Sequence, residues 1–193
     1  MTMLESPLRF ADESDAFVLA ELVNYAGDGL PLELWRTLAG PQGDPWALGR
    51  TRHGERAARG QWVVVDEGTV VAALEGYPTP VSDDFDGHDV PSILEPMIAL
   101  RAKVPNHFFI DNLAAYPRAR GRGLGARLVR YAESVAAEQG LDGVAIALAD
   151  QNHGALRLYD RLGYREEARV EMEKGGWESP STHWVLLVKK AKK

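Results

Sequence analysis

Three glycines at alternate positions, Gly121, Gly123 and Gly125, interleave with the end of the arginine cluster Arg118, Arg120 and Arg122. Glycine carries no Cβ, so a ligand can approach the backbone closely there. A helix that opens at such a point turns unpaired N–H groups and the positive end of its dipole outward. Residues of these types at this spacing bind an anion, above all a phosphate. The guanidinium groups of Arg120 and Arg122 add charge and bidentate geometry, but either can equally face solvent. The backbone is therefore the stronger candidate.

Other residues are unusual for their surroundings. Asp111 alternates with Phe109 and Leu113 on a mostly apolar strand, where a carboxylate needs a partner or water to offset desolvation. Glu75 lies on an apolar hairpin strand, and His107 opens the strand that carries Asp111. Tyr159 shares a helical apolar stripe with Ala155, Leu158 and Leu162, which by itself reads as core packing. Asn152 stands where a helix begins and suits an N-cap. His53, His88, His153 and His183 show no ligand spacing, and without any cysteine there is no thiolate zinc site, so no metal is expected.

Three phosphate-binding designs use glycines in this way. The P-loop requires Lys followed by Ser or Thr after its last glycine, whereas Gly125 is followed by Ala126-Arg127. The dinucleotide fingerprint matches literally at Gly121-x-Gly123-x-x-Ala126. It should follow its strand almost at once, however, and here an arginine-bearing stretch intervenes. Asp142 precedes the next strand and Asp150 lies too far along, so neither suits the acidic partner of that fingerprint.

The segment Arg120-x-x-Gly123-x-Gly125 resembles the pyrophosphate loop of the GNAT superfamily of acyl-CoA N-acyltransferases. The lead-in Asp111-Asn112-Leu113-Ala114-Ala115-Tyr116-Pro117 is similar to that family's strand-to-loop passage. A second family-like feature follows in order: Asn152-x-x-Ala155-x-x-Leu158-Tyr159-x-x-x-Gly163-Tyr164. The likeness is strong in the second half of the chain and loose in the first.

The resemblance implies an α/β fold, a twisted mixed sheet of six or seven strands with helices on both faces, splayed between the fourth and fifth strands. It implies acetyl-CoA as co-substrate. Backbone groups of Leu113, Ala114 and Ala115 would meet the pantetheine arm, and the segment Arg120, Gly121, Arg122, Gly123, Leu124, Gly125 and Ala126 would hold the pyrophosphate. Asn152 would touch the arm, and Tyr159 would lie by the sulfur and protonate the leaving thiolate. The base that deprotonates the amine would be Asp111 first, Glu75 second and His107 third. The expected reaction is direct attack of an amine on the thioester, without an acyl-enzyme; the acceptor is a small-molecule amine or a protein amine. A degenerate acyl-CoA sensor and an NAD-binding oxidoreductase are the alternatives.

The elements that must position these residues follow from the hydropathy pattern. A short strand at 8–10 precedes a helix capped by Asp12 or Ser14 and ending near Gly27. Proline-led helices follow at 31–39 and 46–50. Strands at 61–65 and 69–75 form a hairpin through Asp66-Glu67-Gly68. Residues 77–106 read as an insertion or lid with an acidic stretch at 83–89 and a helix at 92–103. Then come a strand at 107–115, a helix at 124–139 with Leu124, Leu128, Tyr131, Ala132 and Val135 on one face, a strand at 143–149, a helix at 153–162, and strands near 167–173 and 183–188. No linker or repeat divides the chain, which is expected to be one domain over 1–193.

Composition bounds the rest. Of 193 residues, 45% are hydrophobic and 26% charged, the balance of a folded globular chain. Zero cysteines exclude a disulfide framework and a thiol nucleophile. The net charge of −6 argues against nucleic acid or an anionic membrane as partner. The basic tail Lys189, Lys190, Lys192 and Lys193 reads as solvated. No run approaches the roughly 20 apolar residues of a membrane span, and the first ten residues do not look like a signal peptide. A cytoplasmic location is the expectation, and homodimerisation is compatible with such a fold.

Overall fold

The structure is a computed structural model that describes residues 4–80 and 91–191. Its elements run β1 (Leu8–Phe10), α1 (Ala16–Ala26), α2 (Leu30–Ala39), α3 (Pro45–Ala58), β2 (Trp62–Asp66), β3 (Val70–Pro78), α4 (Glu95–Arg101), β4 (Phe108–Ala115), α5 (Leu124–Glu138), β5 (Gly143–Ala149), α6 (His153–Arg161), β6 (Arg165–Glu171) and β7 (His183–Lys190). The strand order is β1-β2-β3-β4-β5-β7-β6. β4 and β5 pair in parallel, while β1/β2, β2/β3, β5/β7 and β6/β7 are antiparallel, so the sheet is mixed. The chain divides into two compact units, one of Met3–Gly76 with Asn112–Val129 and one of Tyr77–Asp111 with Arg130–Lys193.

In the first unit the three helices before β2 share a core with the β2/β3 hairpin. Leu19, Ala20, Leu22 and Val23 of α1 meet Trp35, Ala57, Trp62, Val64 and Ala73, with Ala114 and Tyr116 packed against them. Each helix start has a cause in sequence. Asp12 accepts from Ser14 N–H while Asp15 accepts from Asp12 N–H, a capping box on the turn before α1. Asp44 accepts from Trp46 N–H at 2.9 Å and Ala47 N–H at 3.1 Å, ahead of Pro45.

α3 runs to Ala58, eight residues beyond the pattern-based end at Arg50. Its buried face is Gly49, His53, Gly54 and Ala57, and small residues give no hydropathy signal. A Cβ on Gly49 would stand 2.6 Å from the Trp35 ring, so close helix packing requires glycine there. On α5 the buried residues are Leu124, Leu128, Val129, Ala132 and Ala136, a face rotated slightly from the expected one, with Tyr131 and Val135 half-buried.

His53 is 4% exposed, set edge-on between Trp35 and Trp62, and its Nδ1 has no hydrogen-bond partner among the described residues. Burial, then the charges of Arg56 and Arg52, lower its pKa from 6.5 to about 3. Between these values the unfolded chain binds a proton that the folded chain refuses. The stability is thus complete above about pH 6.5 and is lost as pH falls toward 3. His53→Leu should flatten the decline of the urea midpoint between pH 7 and 4; identical slopes for the two proteins would exclude this origin.

The second unit holds β5, β7 and β6 as an antiparallel ladder, with β4 parallel to β5 at Phe108–Ile110 against Val144–Ile146. β3 reaches Pro78, so the region beginning at Tyr77 starts within a strand. The buried Thr79 closes this region. Its N–H donates to His107 O, its hydroxyl to Val104 O at 2.6 Å, and its Oγ1 accepts from His107 N–H at 2.9 Å. The expected helix at 92–103 is a 3-10 turn followed by α4, which packs on β6 and β7. The acidic stretch 83–89 and Lys192 and Lys193 lie outside the described residues.

Candidate active site

β4 feeds a 3-10 turn, Pro117–Ala119, and then the glycine segment that opens α5. Gly121 has φ +74° and Gly123 φ +79°, left-handed values that L side chains rarely adopt, and among the described residues no heavy atom beyond the adjacent residues lies within 4 Å of where either Cβ would stand. The first helical bond here is Arg127 N–H to Gly123 O at 3.0 Å, so the amides of the preceding turn have no intrahelical acceptor. Space beside the backbone, free donors and the dipole coincide, which fits a pyrophosphate.

The arginines are largely engaged elsewhere. Arg122 forms a bidentate pair with Glu67 at 2.7 and 3.0 Å, and this carboxylate raises its pKa. Arg120 Nε donates to Ala115 O at 3.2 Å, tying the loop to the end of β4. Arg118 stands 4.9 Å over the Tyr116 ring and makes no ion pair among the described residues. A cleft of about 510 Å³ opens in the first unit, lined by Arg9, Asp15, Glu21, Asp66, Tyr116 and Arg118 among others. Most of its ionisable lining is paired: Arg9 with Asp15 and Asp66, and Glu21 with the Tyr116 hydroxyl at 2.5 Å.

The parallel ladder between β4 and β5 stops at Ile110–Ile146, although β4 continues to Ala115. Leu113, Ala114 and Ala115 are half-buried there.

The two carboxylates differ sharply. Glu75 is 0% exposed and accepts from Arg56 at 2.7 Å and from the Asn112 amide at 2.6 Å. Asp111 is half-buried and faces the Tyr77 hydroxyl at 3.5 Å, which in turn accepts from Arg101 at 2.8 Å. Glu75 is therefore sealed beside a cation, while Asp111 retains an approach. His107 donates from Nδ1 to Pro105 O at 2.7 Å, since a carbonyl can only accept. Arg56, Tyr77 and Arg101 carry no motif, and their partners are distant in sequence, which is why pattern reading missed them.

Tyr159 is 1% exposed, packed edge-on against Tyr164 at 5.0 Å, and its hydroxyl has no partner among the described residues. Burial raises its pKa, so the phenol holds its proton. A buried hydroxyl left unpaired costs about 1–3 kcal/mol, a cost that a sulfur acceptor would relieve. Asn152 accepts from Ala155 N–H at 3.1 Å as the N-cap of α6. Each unit thus holds one unusual feature, the open glycine backbone in the first and the orphaned phenol in the second. Among the described residues no cluster of His, Cys, Asp and Glu could hold a metal ion, and no helix is long and apolar enough to cross a membrane.

A family model described as the acetyltransferase (GNAT) family matches residues 30–164. The thialysine N-epsilon-acetyltransferase of Sus scrofa is 29% identical over 73 residues, covering 38% of this chain and 41% of that protein. The Bos taurus enzyme of the same name is 27% identical over 71 residues, covering 37% and 39%. The chain thus matches about two fifths of the length of these curated relatives. The Drosophila melanogaster polyamine N-acetyltransferase structure has TM-score 0.67 at 21% identity, covering 95% of this chain and 98% of that one. An N-acetyltransferase from Staphylococcus aureus Mu50 has TM-score 0.65 at 18% identity, covering 94% and 99%. At these identities the two structures speak to the fold, which is the mixed-sheet fold expected from the sequence.

Proposed function

The chain belongs to the acetyltransferase (GNAT) family, and from that premise we propose that it transfers the acetyl group of acetyl-CoA to a primary amine by direct attack on the thioester. The observation that carries this reading is the pair of left-handed glycines with open space beside them at the head of α5. The bound co-substrate supplies an activated acetyl group and a thiolate leaving group. Leu113 to Ala115 bind the arm through backbone groups, and the amides from Arg122 to Ala126 bind the pyrophosphate. Asn152 steadies the arm while capping α6.

Asp111 is the base we assign, accepting the ammonium proton directly or through a water. It is more accessible than Glu75, whose burial against Arg56 suits a structural carboxylate. Tyr159 protonates the departing sulfur. A buried tyrosinate is costly, so the phenol surrenders its proton only as it regains one.

The acceptor we favour is a small cationic amine. Similar proteins are named for thialysine and polyamines, and a chain of net charge −6 attracts cations. A cytoplasmic location fits such substrates.

The test is thermal stability with acetyl-CoA, CoA, NAD and ATP in turn, followed by thiol release with polyamines, agmatine, lysine analogues and peptide amines. At 100 times its Kd a ligand of the native state alone adds about 2.7 kcal/mol. Stabilisation by CoA species and amine-dependent thiol release are expected. Stabilisation by NAD alone would overturn the reading, binding without turnover on any amine would favour a sensor, and turnover on peptides alone would move the acceptor to proteins.

A further inference from the structure

Three side chains unused so far form a hydrogen-bonded series at the end of β5. Asp150 accepts from the Thr182 backbone N–H at 3.1 Å and from the Thr182 hydroxyl at 3.0 Å. The same hydroxyl oxygen lies 2.8 Å from His183 Nδ1, which is itself 3.6 Å from Asp150 Oδ2. Desolvation opposes the ion, yet the bonds from Thr182 hold the Asp150 carboxyl below the ordinary carboxylate range.

The proton count decides the direction of the series. A carboxylate only accepts, and a hydroxyl has one proton, here given to Asp150. The Thr182 oxygen must then accept from His183, so Nδ1 carries the proton and Nε2 carries the lone pair in the neutral ring. Two further bonds stitch the start of β7 to the β5–α6 turn: Asp150 N–H to His183 O at 3.0 Å, and Gln151 N–H to Ser181 Oγ at 3.4 Å. The ring is thus fixed next to the turn whose Asn152 caps the helix that carries Tyr159. Its side chain is 39% exposed, so the ring is open to solvent.

We infer that His183 is a catalytic base of the transfer, accepting at Nε2 the proton released by the acceptor ammonium, with Thr182 and Asp150 as its positioning residues. This rests on the acetyltransfer reading. The ammonium gives up one proton, which Asp111 accepts and passes through water to Nε2. The free amine then forms the N–C bond to the thioester carbonyl, and the C–S bond breaks. The sulfur takes the Tyr159 proton, and the phenol recovers one from the acylated amine nitrogen as the amide forms. The imidazolium releases its proton to solvent. One proton per turnover leaves, and the products are amide and thiol.

The experiment compares wild type, His183→Ala and Thr182→Val in amine-dependent thiol release at saturating amine, with and without added imidazole. His183→Ala should lose about 100-fold in kcat, keep the thermal shift produced by acetyl-CoA, and regain much of its rate with imidazole. Thr182→Val should lose less, about 10-fold, and gain nothing from imidazole. A kcat for His183→Ala close to wild type, or a loss that imidazole does not repair while the acetyl-CoA shift persists, would overturn the assignment. Wild type without thiol release on any amine would instead overturn the acetyltransfer reading on which it rests.

Discussion

Gly123→Glu should lose at least about 100-fold in acetyl-CoA affinity, read as disappearance of the thermal shift at a concentration that saturates the wild type. Two costs combine. At φ +79° a side chain adds backbone strain of about 1–2 kcal/mol, and the new carboxylate stands where the free amides and the dipole attract a phosphate. Gly123→Ala separates them. Among the described residues no heavy atom beyond the adjacent residues lies within 4 Å of the new methyl group, so alanine carries the strain alone and should retain binding with roughly a tenfold loss. An acetyl-CoA shift of wild-type size in the glutamate variant would remove the pyrophosphate from this segment.

Tyr159→Phe should lower kcat by about 100-fold or more while leaving the acetyl-CoA shift intact. Its folding stability should stay level or rise by about 1 kcal/mol, because the deleted hydroxyl has no partner among the described residues. A tyrosine kept for packing gives a different result: the ring remains, activity persists, and only stability responds. Chemical denaturation and initial rates on the same samples distinguish the two. Full activity in the phenylalanine variant would remove Tyr159 from the chemistry.

The contrast between Asp111 and Glu75 bears on where the proton goes. Both are single carboxylates on apolar strands, and the sequence ranks them only by the resemblance. The structure separates them by partners. Glu75 is enclosed and held by Arg56 and Asn112, so its charge is spent on fixing α3 and β4. Asp111 faces a tyrosine that an arginine already bonds, at the edge of solvent.

The sequence by itself determined what depends on local chain chemistry. The glycines at 121 and 123, the Asp12 and Asp44 caps and the hairpin turn at Gly68 act over a few residues, and each was readable as a pattern. The two linked motifs made the family legible for the same reason: each is a run of backbone requirements, written where it acts. What only the tertiary structure decided is who meets whom across the chain. Arg122 looks like a phosphate ligand until Glu67, 55 residues away, takes its guanidinium. The full length of α3 was invisible because its buried stripe is glycine, histidine and alanine, and only the Trp35 ring packed on it explains that choice. His183 has no ligand spacing, and its tautomer follows from Thr182 and from Asp150, which arrives from the turn after β5. Hydrogen-bond partnership and burial are properties of three-dimensional neighbours, so residue type and spacing cannot encode them until the fold has brought the partners together.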